Sequence, residues 1–437
     1  MNDETKSVAQ LTTKLCKIAE RSSRDRNAVF THLMPIFTVE NLACCFEQLD
    51  GKKAVGIDGK TKQDYAKDLE NNLLSLVERM KRMAYCPQPV REVLIPKGKG
   101  KMHPLGISVI EDKIVQSLFA KVLESIYDPI FKDCSFGFRP NRSAHDAVKV
   151  VINSSFYEGI NEVIDVDLEN FFGSIDHSKL IALLSLKIKD KTFLRYVHRM
   201  CKVGISSNGK ITRPVLGTPQ GSLVSPILAN VVGHYAFDVW FEEVVIPRCR
   251  GNARLVRYCD DIVILCEDKR DSAAIKKALA GRCDRFSLKL NADKSKSVAF
   301  SRSGYESGVK QGAFDFLGFT FYMGRSRRGL AVPKLKTKSK SFREKLSNVN
   351  LWCKRCRDSA RLPDLWKIFC LKLQGHINYY GVSYNIHRVV DFIHKARRAF
   401  FKWMNRRSQR RSFSWERFLL FEKRFPPPSA RVVVRLF

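Results

Sequence analysis

The chain has 437 residues, with 77 Lys and Arg against 44 Asp and Glu and a formal net charge of +33. Hydrophobic residues make up 44% and aromatics 11%, enough for a large core, so the charge is not a sign of disorder and a polyanionic partner is expected. No run reaches the ~18 apolar residues of a membrane span, and the mixed-charge first 30 residues lack a leader pattern, which argues against membrane and secreted classes. The 13 cysteines are odd in number and scattered through apolar runs, the usage of reduced core thiols in a cytoplasmic protein. Cys353 and Cys356 form a lone CxxC without a second ligand pair, a weak zinc signal.

In chain order, residues 7–50 read as helical, with Leu11, Leu15, Ile18, Leu42, Phe46 and Leu49 on the apolar face and a break at Asp50-Gly51. Residues 112–127 form an amphipathic helix, with Ile114, Val115, Leu118, Phe119, Val122, Leu123 and Ile126 at three- and four-residue steps. Val163 to Leu168 is short and β-branched, a strand. Arg254–Tyr258 and Ile262–Leu265 flank Cys259-Asp260-Asp261, the layout of a hairpin with two aspartates at its turn. Beyond residue 324 there are 29 Lys and Arg against six Asp and Glu, which places a domain boundary between 325 and 335, after the Gly324-Arg-Ser-Arg-Arg-Gly329 turn. Lys334 to Lys340 reads as a basic linker. In this last segment Trp366, Phe369, Phe400, Trp403 and Trp415 interleave with the charge. That mixture suits RNA or DNA, although a bundle with core rings and surface charge accounts for most of it. Arg397, Arg398, Arg406, Arg407, Arg410 and Arg411 are the candidate nucleic-acid contacts.

An aspartate inside an apolar strand is costly unless its charge is compensated, and a divalent metal is the usual compensation. Asp165 and Asp167 share one face of the first strand, and Asp260 and Asp261 sit at the hairpin. If the two strands are neighbours, these carboxylates would hold two Mg²⁺ ions roughly 3.5–4 Å apart for in-line displacement at phosphorus.

These residues resemble the reverse transcriptases, and within them the group II intron reverse transcriptase/maturases. Tyr258-Cys259-Asp260-Asp261 resembles the Tyr-x-Asp-Asp box, and Asp167-x4-Phe172 with Ser174-Ile175-Asp176-His177 the first palm motif. Gly217-Thr218-Pro219-Gln220-Gly221-Ser222 with Ser225-Pro226 resembles the diagnostic GTPQGG-x-x-SP segment. Ile95-Pro96-Lys97, Pro104-Leu105-Gly106-Ile107 and Ser135-Phe136-Gly137-Phe138-Arg139-Pro140 match fingers motifs, and Leu290-Asn291-x-x-Lys294 and Phe316-Leu317-Gly318-Phe319 match later palm motifs. Gly375-x-x-Asn378-Tyr379-Tyr380 resembles the start of the thumb and maturase region. No cysteine and histidine set of an HNH endonuclease follows, so the resemblance is to the compact class without it.

The resemblance implies an α+β right-hand polymerase: a helical extension at 1–50, fingers and an antiparallel palm sheet over 51–324, and an α-helical thumb and maturase region (domain X) over 325–437. It implies Mg²⁺ as two ions, replaceable by Mn²⁺, with Asp167 and Asp260 as direct ligands, Asp261 assisting and the Leu168 carbonyl as an extra ligand. Family spacing selects Asp167 rather than Asp165. Phe172 would exclude a 2′-hydroxyl, and Lys97 and Arg139 would hold triphosphate or template groups. Gln220 would contact the minor-groove side, and Lys294 either protonates pyrophosphate or is a plain surface lysine.

Three positions depart from the family pattern. Lys101-Met102-His103-Pro104 lacks the usual fingers Arg, so His103 or Lys101 stands in for it or the contact is missing; Cys259 replaces Ala, and Ser222 replaces Gly. The implied partners are an RNA template such as a group II intron RNA, a DNA primer or target, and dNTPs, with no membrane. Two other readings remain open: a stand-alone reverse transcriptase in DNA repair or phage defence, and a non-enzymatic splicing maturase, which would have lost the palm aspartates.

Overall fold

The computed structural model describes residues 3–96, 102–207, 209–219, 221–407 and 414–437. In chain order the strands among them are β1 (Val90–Pro96), β2 (Met102–Ile107), β3 (Glu162–Glu169), β4 (Ile205–Ser207), β5 (Lys210–Thr212) and β6 (Ala253–Tyr258). The rest are β7 (Asp261–Cys266), β8 (Lys289–Leu290), β9 (Lys296–Ala299), β10 (Ala313–Phe316), β11 (Phe319–Arg325) and β12 (Ala331–Thr337). They make three sheets, ordered β2-β1-β4-β5, β10-β11-β12, and β6-β7-β3 with β8 and β9 sharing the far edge of β3. All pairs are antiparallel except β1 with β4.

The β6-β7-β3 sheet separates two hydrophobic cores, and the two-residue period of its strands decides which side chain enters which. Ile164, Val166, Ile262 and Ile264 enter a core shared with the helices Asp3–Arg24, Val39–Glu47 and Ile110–Tyr127. Val163, Val263 and Leu265 enter the second core, with Phe314, Phe319 and Phe321 and the C-terminal helices. The predicted helix at 112–127 is present as Ile110–Tyr127, and the expected hairpin is β6–β7 with Tyr258 paired to Asp261 across a two-residue turn.

Three expectations for the C-terminal region are corrected. The composition break at 325 falls in the β11–β12 hairpin, where Arg325 pairs with Ala331, so the boundary there would divide one sheet; the helices begin at Ser339. Lys334–Lys340 is not a linker: Leu335 and Thr337 of β12 point inward and Lys336 outward, and the next helix follows at once. The interleaved rings are core. Trp366, Phe369, Phe400 and Trp403 are buried among the helices Ser339–Cys356, Leu362–Tyr380, Ile386–Met404 and Trp415–Arg424.

The candidate arginines divide in the same way. Arg397 is ion-paired with Glu422 and Arg407 donates to the Ala360 carbonyl, so neither guanidinium is a free surface charge; Arg398 and Arg406 are exposed. Arg410 and Arg411 lie outside the described residues. All 13 cysteines are free thiols. Cys353 is buried in the second core, and among the described residues no three His, Cys, Asp or Glu stand close enough to hold a metal. Nor is any described helix long and apolar enough to cross a membrane.

One buried charge ties the first core to the hairpin. Arg257 of β6 is fully buried, and its guanidinium donates to both carboxylate oxygens of Asp238 (2.7 and 2.6 Å), to Asn230 Oδ1 (3.1 Å), to Ser135 Oγ (2.7 Å) and to the Cys259 carbonyl (3.2 Å). These contacts match the five N–H donors of a guanidinium. Gly233 ends the helix Ser225–Gly233 against this group, and a Cβ there would lie 2.6 Å from Arg257 Nη1. Gly233→Ala is therefore expected to destabilise the protein by about 1–3 kcal/mol through overpacking. Denaturant melts check this, and a loss within error would mean that the guanidinium has room to move.

Candidate active site

β3 carries its aspartates on the face that lines the second core, and that face changes character within four residues. Val163 pairs with Leu265, Asp165 with Val263, and Asp167 with Asp261, so an apolar end runs into an acidic end. Asp260 is exposed at the tip of the β6–β7 turn. Asp165, Asp167, Asp260 and Asp261 line one cavity of about 410 Å³ together with Leu168 and Lys294. The structure thus brings together all the carboxylates singled out in the sequence, and adds Asp315 and Lys338 on the same wall.

Each lysine takes an outer carboxylate. Lys294 Nζ lies 3.2 Å from Asp167, and Lys338 Nζ lies 3.0 Å from Asp315. Lys294 is placed by its own motif: Asn291 N–H donates to the Asp167 carbonyl and Asn291 Oδ1 accepts from Lys294 N–H, so the turn after β8 wraps the end of β3. Asp315 and Lys338 were missed. The signal for Asp315 was the one that exposed Asp165, an acid between core residues, here Phe314 and Phe316; Lys338 was hidden in the supposed linker.

The cluster is electrostatically strained. Burial, with repulsion from Asp315 and Asp167, raises the Asp165 carboxyl to about 6 despite Lys338. Burial, with Asp165 and Asp260 nearby, raises Asp261 to about 7 although the Leu317 N–H bonds to it. An all-oxygen set of this kind suits a hard divalent cation, which would relieve the repulsion. Among the described residues no three of these carboxylates meet around one point, and Lys294 and Lys338 each pair with one of them.

The hairpin turn is held in an unfavourable conformation. Cys259 has φ 61°, a left-handed value that costs a non-glycine residue about 1–2 kcal/mol. Its carbonyl accepts from Arg257, and Gly137 packs so closely on its amide that a Cβ would lie 2.7 Å from Cys259 N. The Ser135–Arg139 segment lies alongside β6, with Phe136 N–H donating to the Arg257 carbonyl and Arg257 N–H to the Cys134 carbonyl. This corrects the expectation for Arg139. Its guanidinium is bonded to Asp128 Oδ1 (2.7 Å) and to the carbonyls of Asp128, Lys132 and Ser135, and it is spent on holding this brace rather than lining the cavity.

Phe172 is half-buried against the first core, with its ring edge-on to Phe171 at 5.9 Å, and does not line the carboxylate cavity. Two motifs read separately meet here: Thr218 N–H donates to the Phe172 carbonyl and Gly217 N–H to that of Ile175. Asn170, Gly173, Gly217 and Thr218 line a second cavity of about 280 Å³ with Leu105 and Gly106 of β2. Ser222 is accommodated, since the left-handed residues of its segment are Gly217 (φ 89°) and Gly221 (φ 104°). Lys97, Lys101 and Gln220 lie outside the described residues. A larger cavity, about 850 Å³, surrounds Lys132, His234 and Asp238 elsewhere, where the charged groups pair with each other rather than converge.

The raised Asp165 carboxyl has a pH signature. Below about pH 4 it is protonated folded or unfolded and costs nothing; as pH rises the unfolded carboxyl ionises first, so stability falls until the folded group ionises near 6. In metal-free buffer Asp165→Asn is expected to raise the melting temperature by an amount that grows from about pH 4 and levels off above about pH 6. Melts across this range check it, and a pH-independent gain would contradict the burial of the charge.

The description "reverse transcriptase (RNA-dependent DNA polymerase)" belongs to a family model that matches residues 95–321, just over half of the chain. The chain is 34% identical over 220 residues to the group II intron-encoded protein LtrA of Lactococcus lactis subsp. cremoris, covering 50% of this chain and 36% of that protein. It is 30% identical over 309 residues to protein YkfC of Escherichia coli, covering 64% of this chain and 78% of that protein. It is 40% identical over 168 residues to the putative COX1/OXI3 intron 1 protein of Saccharomyces cerevisiae, covering 38% and 20%. The match thus spans about a third of the length of the group II intron-encoded relative. Two intron-encoded proteins among these relatives agree with the resemblance seen in the motifs, and the family match contains the Asp167 strand, the Tyr258–Asp261 hairpin and the Gly217–Pro219 segment in one run. The chain belongs to the reverse transcriptase (RNA-dependent DNA polymerase) family.

Proposed function

We propose that this protein is an RNA-directed DNA polymerase that extends a primer 3′-hydroxyl with dNTPs and also binds a structured RNA of the group II intron type. The observation that carries this reading is the convergence of Asp167, Asp260 and Asp261 at one end of a sheet face that is otherwise core. In this reading the β6-β7-β3 sheet is the palm, the β2-β1-β4-β5 sheet belongs to the fingers, and the helices from Ser339 onward form the thumb and maturase region.

Asp167, Asp260 and Asp261, with the Leu168 carbonyl, would hold Mg²⁺, which when bound favours the 3′-alkoxide and neutralises the departing pyrophosphate. The protein's own groups supply the rest. Lys294 is a cation at the Asp167 end of the cavity, suited to receiving the pyrophosphate and giving it a proton. The second cavity is lined by Asn170, Gly173 and the Gly217–Pro219 segment; Phe172 itself does not line it, so the role of its ring toward a sugar rests on the motif resemblance. Arg398 and Arg406 present cations to an RNA backbone, while Arg397 and Arg407 hold the bundle that carries them.

Retention of all three palm aspartates favours the enzyme over a splicing chaperone alone. Asp260→Ala is expected to abolish Mg²⁺-dependent extension of a DNA primer on an RNA template while RNA binding persists, since RNA is gripped largely by the basic helices. Primer extension and filter binding check this, and retained synthesis would overturn the assignment. Phe172→Ala is expected to raise the ratio of rATP to dATP incorporation, and an unchanged ratio would return Phe172 to a purely core role.

A further inference from the structure

Leu317 sits between the carboxylates and the C-terminal helices, and both of its peptide groups are engaged. Its N–H donates to Asp261 Oδ2 (3.3 Å), and its carbonyl accepts from the Tyr379 hydroxyl (2.9 Å). Its backbone is left-handed, at φ 48°, because Leu317 and Gly318 (φ 78°) are the two central residues of the β10–β11 hairpin turn that pairs Phe316 with Phe319, and the two bonds fix where that turn sits. The neighbouring peptide is tied as well, since Lys338 N–H, on the residue before the helix Ser339–Cys356, donates to the Gly318 carbonyl (2.9 Å).

Tyr379 is itself fixed from several sides. Its ring is parallel to that of Phe319 at 5.8 Å, its carbonyl contacts His145 Nε2 (2.7 Å), and it lies in the last turn of the helix Leu362–Tyr380. Burial holds its hydroxyl protonated at any physiological pH, so it remains a donor. The route from helix to carboxylate is therefore short: hydroxyl, Leu317 carbonyl, Leu317 amide, Asp261.

We infer that Tyr379 is a positioning residue, whose hydroxyl pins the Leu317 peptide of the β10–β11 turn and thereby keeps the Leu317 N–H on Asp261, coupling the C-terminal helices to the carboxylates that would hold the metal. This rests on the polymerase reading for the role of the metal. Without the hydroxyl, the turn keeps its conformation but loses its anchor to the helix, the Leu317 N–H drifts from Asp261, and the carboxylate loses the donor that orients it. By reciprocity, metal on the carboxylates must tighten the end of the helix Leu362–Tyr380.

The test is Tyr379→Phe, which keeps the ring packing and removes only the oxygen. Mn²⁺ binding to the protein without nucleic acid, read by electron paramagnetic resonance, is expected to weaken roughly threefold to tenfold, the effect of one hydrogen bond. Affinity for a primer–template duplex is expected to be unchanged, because a loosened helix would lower both. Equal Mn²⁺ affinity in the two proteins, or a parallel loss of duplex affinity, overturns the inference while leaving the polymerase reading intact. A parent protein that binds no Mn²⁺ counts against both. Should the variant fail to fold, the parent carries the test: Mn²⁺ is expected to slow amide exchange over residues 376–381, and unchanged exchange there overturns the coupling.

Discussion

The buried ion pair of Arg257 with Asp238 is the constraint on which the site depends. A buried pair gains little over well-packed apolar residues, because both charges must leave water, so its value here lies in what it positions. The guanidinium sits beneath the β6–β7 turn and reaches Ser135, Asn230 and the Cys259 carbonyl at once. A helix end, an extended segment and the hairpin are thereby held in one arrangement. Cys259 is the left-handed first residue of that two-residue turn, with its carbonyl on the guanidinium, and its conformation sets where Asp260 leaves the turn and Asp261 enters β7.

Above this brace the acidic cavity is built by continuing a core face into solvent. The alternation that buries Val163 and Leu265 also aligns Asp165, Asp167 and Asp261, so the sheet cannot hold its apolar end without presenting its acidic end. Repulsion within the cluster is moderated by Lys294 from one side and Lys338 from the other, and each comes from an element joined after β7 in the chain. The site is thus closed by the segments that fold onto the sheet last in sequence, and its charge balance depends on their docking.

The C-terminal region divides its many cations between structure and surface. Arg397 and Arg407 are consumed in the bundle, and Arg388 lies over the Phe342 ring. A polybasic composition therefore overstates the charge offered to a phosphate backbone. The rings that interleave with the charge are the core that orients the remaining exposed cations.

The sequence by itself determined the strand and hairpin that carry Asp167, Asp260 and Asp261, and the helix at 112–127, because period-two and period-3.6 patterns are local properties that tertiary context reinforced. The ordered motifs likewise located the reverse transcriptase match, whose span they largely share. Only the tertiary structure decided that Arg139 braces a turn rather than meeting a phosphate, and that Asp315, Lys338, Leu317 and Tyr379 border or adjoin the cavity. It also decided that the change in composition at 325 is a hairpin loop and not a boundary. Charge and residue type state what a side chain is able to do, but whether a guanidinium is free or already bonded depends on partners far away in the chain. Asp238 and Arg257 are 19 residues apart, and Tyr379 and Leu317 62 apart, separations at which no sequence pattern specifies a contact.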